Sequence, residues 1–232
     1  MNTQRRAEVA AEPTYVRLAP FVITSIIKAT VTPDDVHNFI SRMKQYPFAA
    51  IAVDLPYVSL ARELLEDTGI GVCTVASYPL GGMTTEVKKK QVKFAKRSGA
   101  TEIDVSMNYL AIKGHNFDEV ENEAKSLLDV AGNLKIIVIP QVPILTNYEK
   151  AKACETLLKA GVNTIKTASG FGWKTELEDV LYLKRLFGDD LHVEASGGVR
   201  TPTDALAMLK AGAEKIHTST PLSVLGLEKG GG

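Results

Sequence analysis

"GVCTVASYPLGGMTTEVKKKQVKFAKRSGATEIDVSM" (residues 71–107) carries a strand, a helix and a second strand in one run. "GVCTV" (71–75) and "EIDVSM" (102–107) are short and β-rich, and "TTEVKKKQVKFAKRSGA" between them has a polar start, a helical period and a terminal glycine. A helix between two such strands is the crossover that parallel pairing needs. The alternation recurs along the chain. "FVITSII" (21–27), "AAIAV" (49–53), "KIIVI" (135–139), "TIKT" (164–167), "LHVEA" (191–195) and "KIHTS" (215–219) bring the strand candidates to eight. Helix signals punctuate them: "TPDDVHNFISRM" places Pro33 after Thr32, "TPTDALAMLKAG" places Pro202 after Thr201 and stops at Gly212, and "NYEKAKACETLLKAGV" ends on a glycine.

Eight alternations in this length predict an α/β fold of the (β/α)8 TIM barrel class, because each strand needs a crossover and the count closes the sheet. A doubly wound open sheet shares the alternation and stays open as an alternative. No shift in composition marks a boundary. The expected organisation is one barrel domain over residues 16–226, an N-terminal extension over 1–15 and a flexible tail over 227–232.

The chain has 232 residues, 45% hydrophobic and 23% charged, enough to bury a sizeable core. Its 27 basic residues balance 27 acidic ones, so no net field favours nucleic acid or an anionic membrane. Any affinity for an anion must come from a local site. No apolar run approaches the length of a bilayer span and no secretory leader is recognisable, which points to the cytoplasm. Cys73 and Cys154 sit in apolar contexts that suit inert core thiols better than a disulfide. Lys88, Lys89, Lys90, Lys93, Lys96 and Arg97 read as a solvated helix face rather than a nucleic-acid surface, since no aromatics interleave them. His37, His115 and His192 have no partner at ligand spacing, and no metal site is expected.

In such barrels chemistry gathers where strands end and βα loops begin. "NTIKTASGFG" (163–172) puts Lys166 near the end of the sixth strand candidate. A lysine there is largely dry, so it is either paired, shifted toward the neutral amine that attacks carbonyls, or snorkelling to the rim. Asp104 and Glu194 are charged residues within strand candidates four and seven. Alternation puts Glu102, Asp104 and Ser106 on one face, where Asp104 is placed either for general acid/base work with Lys166 or for a structural salt bridge. "SGFG" (169–172), "ASGGVRTPTDA" (195–205) and "HTSTPLSV" (217–224) offer Ser169, Gly170, Gly197, Gly198, Ser219 and Thr220 in three successive loops. One glycine pair is usually only a turn, but three such loops in these positions predict a phosphate cradle.

These residues carry a resemblance. The pieces "VCTVASYPLGG" (72–82), "ATEIDVSMN" (100–108), "AGVNTIKTASGFG" (160–172), "ASGGVRT" (195–201) and "IHTST" (216–220), in this order and spacing, resemble the deoxyribose-phosphate aldolase family from about residue 21 to about 225. The resemblance implies a class I aldolase in which Lys166 forms the Schiff base and Asp104 works with a water in proton transfer. Gly170, Gly197, Gly198, Arg200, Ser219 and Thr220 fall in the family's phosphate-binding segments. The implied reaction is reversible cleavage of 2-deoxyribose 5-phosphate to acetaldehyde and glyceraldehyde 3-phosphate, without metal or organic cofactor. A small phosphorylated sugar or aldehyde is the implied substrate, and a homodimer or higher homo-oligomer the implied assembly.

The departures are specific. The family's strand-seven lysine, credited with lowering the nucleophile's pKa, is here Glu194, and an ionised carboxylate close to Lys166 would instead stabilise the ammonium and weaken ordinary activity. Strand one reads "ITS" where the family has polar residues at Ile23 and Thr24, and "IAVDLP" carries Ala52 and Asp54 where cysteine and asparagine are usual. His217 stands where glycine is common beside the phosphate, to add a contact or to crowd the group. The strand-five acidic residue is lost around "VIPQVP". Three readings follow: a deoxyribose-phosphate aldolase with a divergent pocket, a related Schiff-base lyase for another carbonyl substrate with Glu194 as acid/base, and a non-catalytic phosphate-binding barrel.

Overall fold

A computed structural model describes residues 17–228. The expected extension over 1–15 lies outside these residues, as do positions 229–232 of the expected tail. Leu227 and Glu228 are described, and Glu228 pairs with Arg42.

Eight parallel strands close into a barrel in sequence order: β1 (Val22–Ile26), β2 (Ala50–Val53), β3 (Gly71–Ala76), β4 (Glu102–Ser106), β5 (Lys135–Ile139), β6 (Thr164–Lys166), β7 (His192–Ser196) and β8 (Lys215–Thr218). Each overlaps its expected run, and closure excludes the open sheet. The seam is the pairing of β1 with β8, where Ile23 lies opposite His217 and Thr24 opposite Thr218. The principal crossovers are α1 (Pro33–Met43), α2 (Val58–Leu64), α3 (Thr85–Arg97), α4 (Tyr109–Lys113), α5 (Phe117–Ala131), α6 (Asn147–Ala160), α7 (Leu177–Phe187) and α8 (Pro202–Lys210), with α9 (Pro221–Val224) after the last strand.

The helices begin where local chemistry tells them to. Thr32, Thr146 and Thr201 each accept from the backbone N–H three residues on, and Asp35, Glu149 and Asp204 return the bond to close a capping box. Pro33 and Pro202 sit at the first helical position, where the missing N–H costs nothing. α6 ends on Gly161 at φ +96°, the left-handed cap that glycine adopts without strain.

Two apolar regions result from strand alternation. The large one lies between the sheet and the helices and includes Ile51, Val72, Ile103, Val138, Ile165 and Val193. The small one, Ile23, Ala50, Ala52 and Cys73, lies on the opposite face of β1 to β3, inside the barrel. Its short side chains fill only part of the interior. The remainder is largely polar and comes from β4 to β8, with Ile137 and Ile139 of β5 as apolar members. Both cysteines are buried and unbridged, and burial pushes the Cys154 thiol up to about 12.

One expectation is overturned. Lys88 is fully buried, with Nζ 2.8 Å from Glu123 Oε1 on α5. Its neighbours on the same stripe of α3 are the buried Val92 and Ala95, so position 88 belongs to the inward face whatever residue occupies it. Lys90, Lys93, Lys96 and Arg97 are exposed as expected.

Candidate active site

Lys166 is the last residue of β6, and its side chain enters the barrel interior, where it is 4% exposed. Nζ donates to Asp104 Oδ2 at 2.8 Å and lies 5.5 Å from the centre of the Tyr78 ring. Asp104 projects inward from the middle of β4 between Glu102 and Ser106, the face that alternation predicts. Burial on its own favours the neutral amine, but the Asp104 carboxylate and the Tyr78 side chain outweigh it and hold Lys166 above the ordinary lysine value. The resting pair is therefore ammonium and carboxylate. A nucleophilic amine at this position would need a proton to leave Nζ, and Asp104 is the group in contact to take it. Asp104 Oδ1 has no hydrogen-bond partner among the described residues, which leaves it able to accept from a substrate or a water.

Glu194 was expected as the carboxylate beside the lysine. It is the strand neighbour of Lys166 in the β6–β7 register, yet its oxygens serve other groups. Oε2 meets His217 Nε2 at 2.6 Å, and Oε1 accepts from Lys135 Nζ at 3.2 Å. Burial raises the Glu194 carboxyl, but His217, Lys135 and Lys215 together bring it down to about 2. Glu194 is thus ionised, its charge is matched locally, and Asp104 is the carboxylate that fixes the state of Lys166. His217 turns its other nitrogen, Nδ1, toward Asp104 Oδ2 at 3.7 Å. Asp104, Glu194 and His217 also bring ligand atoms within 4.8 Å of one another, a spacing a metal could use. Two of the three donors already face lysine ammonium groups, which compete with any cation.

The ends of β1, β3, β6, β7 and β8 surround a cavity of about 310 Å³ with Lys166 at its base. Every residue expected at a phosphate lines it: Ser169, Gly170, Gly197, Gly198 and Arg200 from the loops after β6 and β7, and His217, Ser219 and Thr220 from β8 and its loop. Gly197 is required by close approach, since a Cβ there would lie 2.7 Å from the Trp173 carbonyl oxygen at φ +94°. α9 is a single turn, so it offers free N–H groups rather than a sizeable macrodipole. Arg200 and Lys28, both exposed, add positive charge at the rim.

Several residues escaped the sequence reading. Tyr78 donates its hydroxyl to the Ser169 carbonyl and covers the lysine. Gln141 accepts from Ser169 N–H at 2.8 Å and donates to Ser169 Oγ at 3.2 Å, pinning the loop after β6. Both lie inside stretches already singled out, "ASYPLGG" and "VIPQVP", but nothing in their spacing shows which loop they reach. Lys135 opens β5 and gave no signal at all.

No protein-family model matches the chain. A deoxyribose-phosphate aldolase of Carboxydothermus hydrogenoformans is 36% identical over 214 residues, 90% of this chain and 94% of that protein. Among solved structures, an aldolase called QR15 superimposes with a TM-score of 0.86 at 31% identity, covering 91% of this chain and 95% of that one. A tetrameric deoxyribose phosphate aldolase from Aeropyrum pernix gives 0.82 at 26%, covering 96% and 94%. A match over nine-tenths of this chain to an aldolase at this identity, on a closed barrel of the same fold, leaves one assignment: the chain belongs to the deoxyribose-phosphate aldolase family.

Proposed function

We propose that the protein reversibly cleaves 2-deoxy-D-ribose 5-phosphate to acetaldehyde and D-glyceraldehyde 3-phosphate through a Schiff base on Lys166. The observation that carries this reading is the buried Lys166–Asp104 pair at the base of a cavity whose walls are glycine and hydroxyl loops. In the open-chain sugar the aldehyde carbon bonds to Nζ and its oxygen leaves as water. The iminium then accepts the electron pair of the C2–C3 bond as a base, Asp104 directly or through a water, takes the proton of the C3 hydroxyl. Glyceraldehyde 3-phosphate departs, and the enamine is protonated at C2 and hydrolysed to acetaldehyde. The glycine-loop N–H groups, Ser219, Thr220 and Arg200 hold the phosphate in the meantime. This scheme asks no metal or organic cofactor of the chain.

A cytoplasmic location and a homo-oligomeric state belong to the same reading. A phosphorylated sugar is an intracellular metabolite by its charge, no described helix is long and apolar enough to cross a membrane, and the Aeropyrum pernix relative is a tetramer. The test is borohydride reduction in the presence of deoxyribose 5-phosphate, followed by peptide mass spectrometry, alongside a coupled assay for glyceraldehyde 3-phosphate. The expected result is a saturable adduct on the Lys166 peptide and turnover that Lys166→Met abolishes. Turnover retained by Lys166→Met would refute the reading.

A further inference from the structure

The barrel has a second opening at its N-terminal end. Lys135, Thr164, His192 and Lys215, the first residues of β5, β6, β7 and β8, line a cavity of about 300 Å³ there, and Glu194 is at its inner wall. His217 lines the upper cavity that holds Lys166. The 2.6 Å contact between His217 Nε2 and Glu194 Oε2 is therefore the partition between the two cavities. From Lys166 the sequence of groups is Asp104 at 2.8 Å, His217 at 3.7 Å, Glu194 at 2.6 Å and Lys135 at 3.2 Å, and the Lys135 side chain is 42% exposed.

We propose that His217 and Glu194 form a proton relay through the barrel floor, joining the Lys166–Asp104 pair to solvent at the N-terminal mouth. The proposal rests on the Schiff-base reading. Forming the iminium from an ammonium and an aldehyde leaves one of the three Nζ protons on nitrogen and sends two out with the carbonyl oxygen as water. While the C–N bond forms, a base must hold a proton that the oxygen collects later. Asp104 takes it from Nζ, and His217 Nδ1 is placed to receive it from Asp104 Oδ2, passing the proton on Nε2 to Glu194. The reverse shift returns a proton to the departing hydroxyl. The 3.7 Å step is longer than a hydrogen bond and is the one that must tighten, as catalytic contacts commonly do once substrate is bound.

A sugar phosphate filling the upper cavity displaces the water that would otherwise carry these protons, while the lower cavity stays open. The charged groups around the imidazole are suited to this. Asp104 and Glu102 face it from β4 and Glu194 from β7, balanced by Lys166, Lys135 and Lys215 from β6, β5 and β8. His217 and Glu194 are thus positioning and relay residues for the reaction at Lys166.

The test is chemical rescue from below. Glu194→Ala is expected to lower kcat roughly a hundredfold, the usual scale for one acid/base group, with KM for deoxyribose 5-phosphate within about twofold of native. Formate should restore kcat saturably, without competing with substrate, and a series of small carboxylates should restore it in proportion to their basicity, which a purely structural role would not produce. Glu194→Gln, close in volume, should show the same loss with no rescue, and it decides the matter if the alanine variant does not fold. Native kcat in folded Glu194→Gln, or rescue that competes with substrate, would overturn the relay while leaving a native Lys166 adduct intact. Absence of that adduct in the unmodified protein would overturn the aldolase reading and the relay together.

Discussion

Replacing Asp104 by asparagine separates the two things its carboxylate does for Lys166. The carboxylate lies 2.8 Å from Nζ, and at an effective dielectric near 20 that contact is worth about 6 kcal/mol, or about four pK units. With the charge gone, burial acts on Lys166 nearly unopposed. The Lys166 pKa should then fall by about three to four units, from above the ordinary lysine value to below it. Each unit raises the neutral fraction about tenfold at a pH below both values. The assay is the pH dependence of Lys166 modification by acetylacetone, whose vinylogous amide absorbs in the ultraviolet. The half-point of reactivity should move acidward by about three units in Asp104→Asn. Turnover of deoxyribose 5-phosphate should fall by about a hundredfold or more, because the proposed mechanism assigns Asp104 the C3 hydroxyl proton. An unmoved reactivity profile would show that Asp104 does not set the state of the lysine. A profile that moves while turnover is kept would show that Asp104 is not the base.

Two further outcomes follow from buried charge. Lys88→Met removes the ammonium partner of Glu123 in the core and should cost about 3–5 kcal/mol in urea unfolding. Adding Glu123→Gln, which keeps an oxygen for the Asn108 N–H now bonded at 3.1 Å, should recover about half or more of that loss. Glu194→Lys, which restores the family's usual residue, should destabilise by about 3 kcal/mol because it sets an ammonium against Lys135 and Lys215 and removes the acceptor that His217 Nε2 meets. Combining it with His217→Gly should show a favourable coupling of about 1 kcal/mol or more, and additive effects in the same unfolding measurement would refute the pairing.

The fold was legible because period-two runs separated by capped helices are a local signal, and eight of them leave few topologies. Which residues share a face of β4 was legible for the same reason, since alternation groups Glu102, Asp104 and Ser106, but that this face and Lys166 point inward comes from the closed barrel. Partners were not. Asp104 is 62 positions from Lys166 and His217 is 23 from Glu194, and no local pattern states that they meet. Lys88 was misplaced because a run of lysines looks like a solvated face until helical phase assigns one of them to the stripe shared by Val92 and Ala95. Tyr78 and Gln141 act through loop geometry, which composition does not encode.

The exchange of a lysine for Glu194 looks, in the sequence, like a reversal of the field at the nucleophile. That inference treats one position as if its neighbours stayed fixed. Inside a closed barrel eight strands share one dry volume, so a charge change at one strand must be met from the others or expelled. Here it is met by His217 on β8 and Lys135 on β5, with Lys215 beyond. The two lysines, with the 2.6 Å contact to His217, hold the Glu194 charge away from Lys166, and Asp104 governs the lysine. The imidazole that meets Glu194 also stands between the two cavities, which a lysine paired to nothing at this position could not do. Glu194 and His217 are one unit in this structure, joined at 2.6 Å, and on the proposed relay the activity of this barrel depends on that pair.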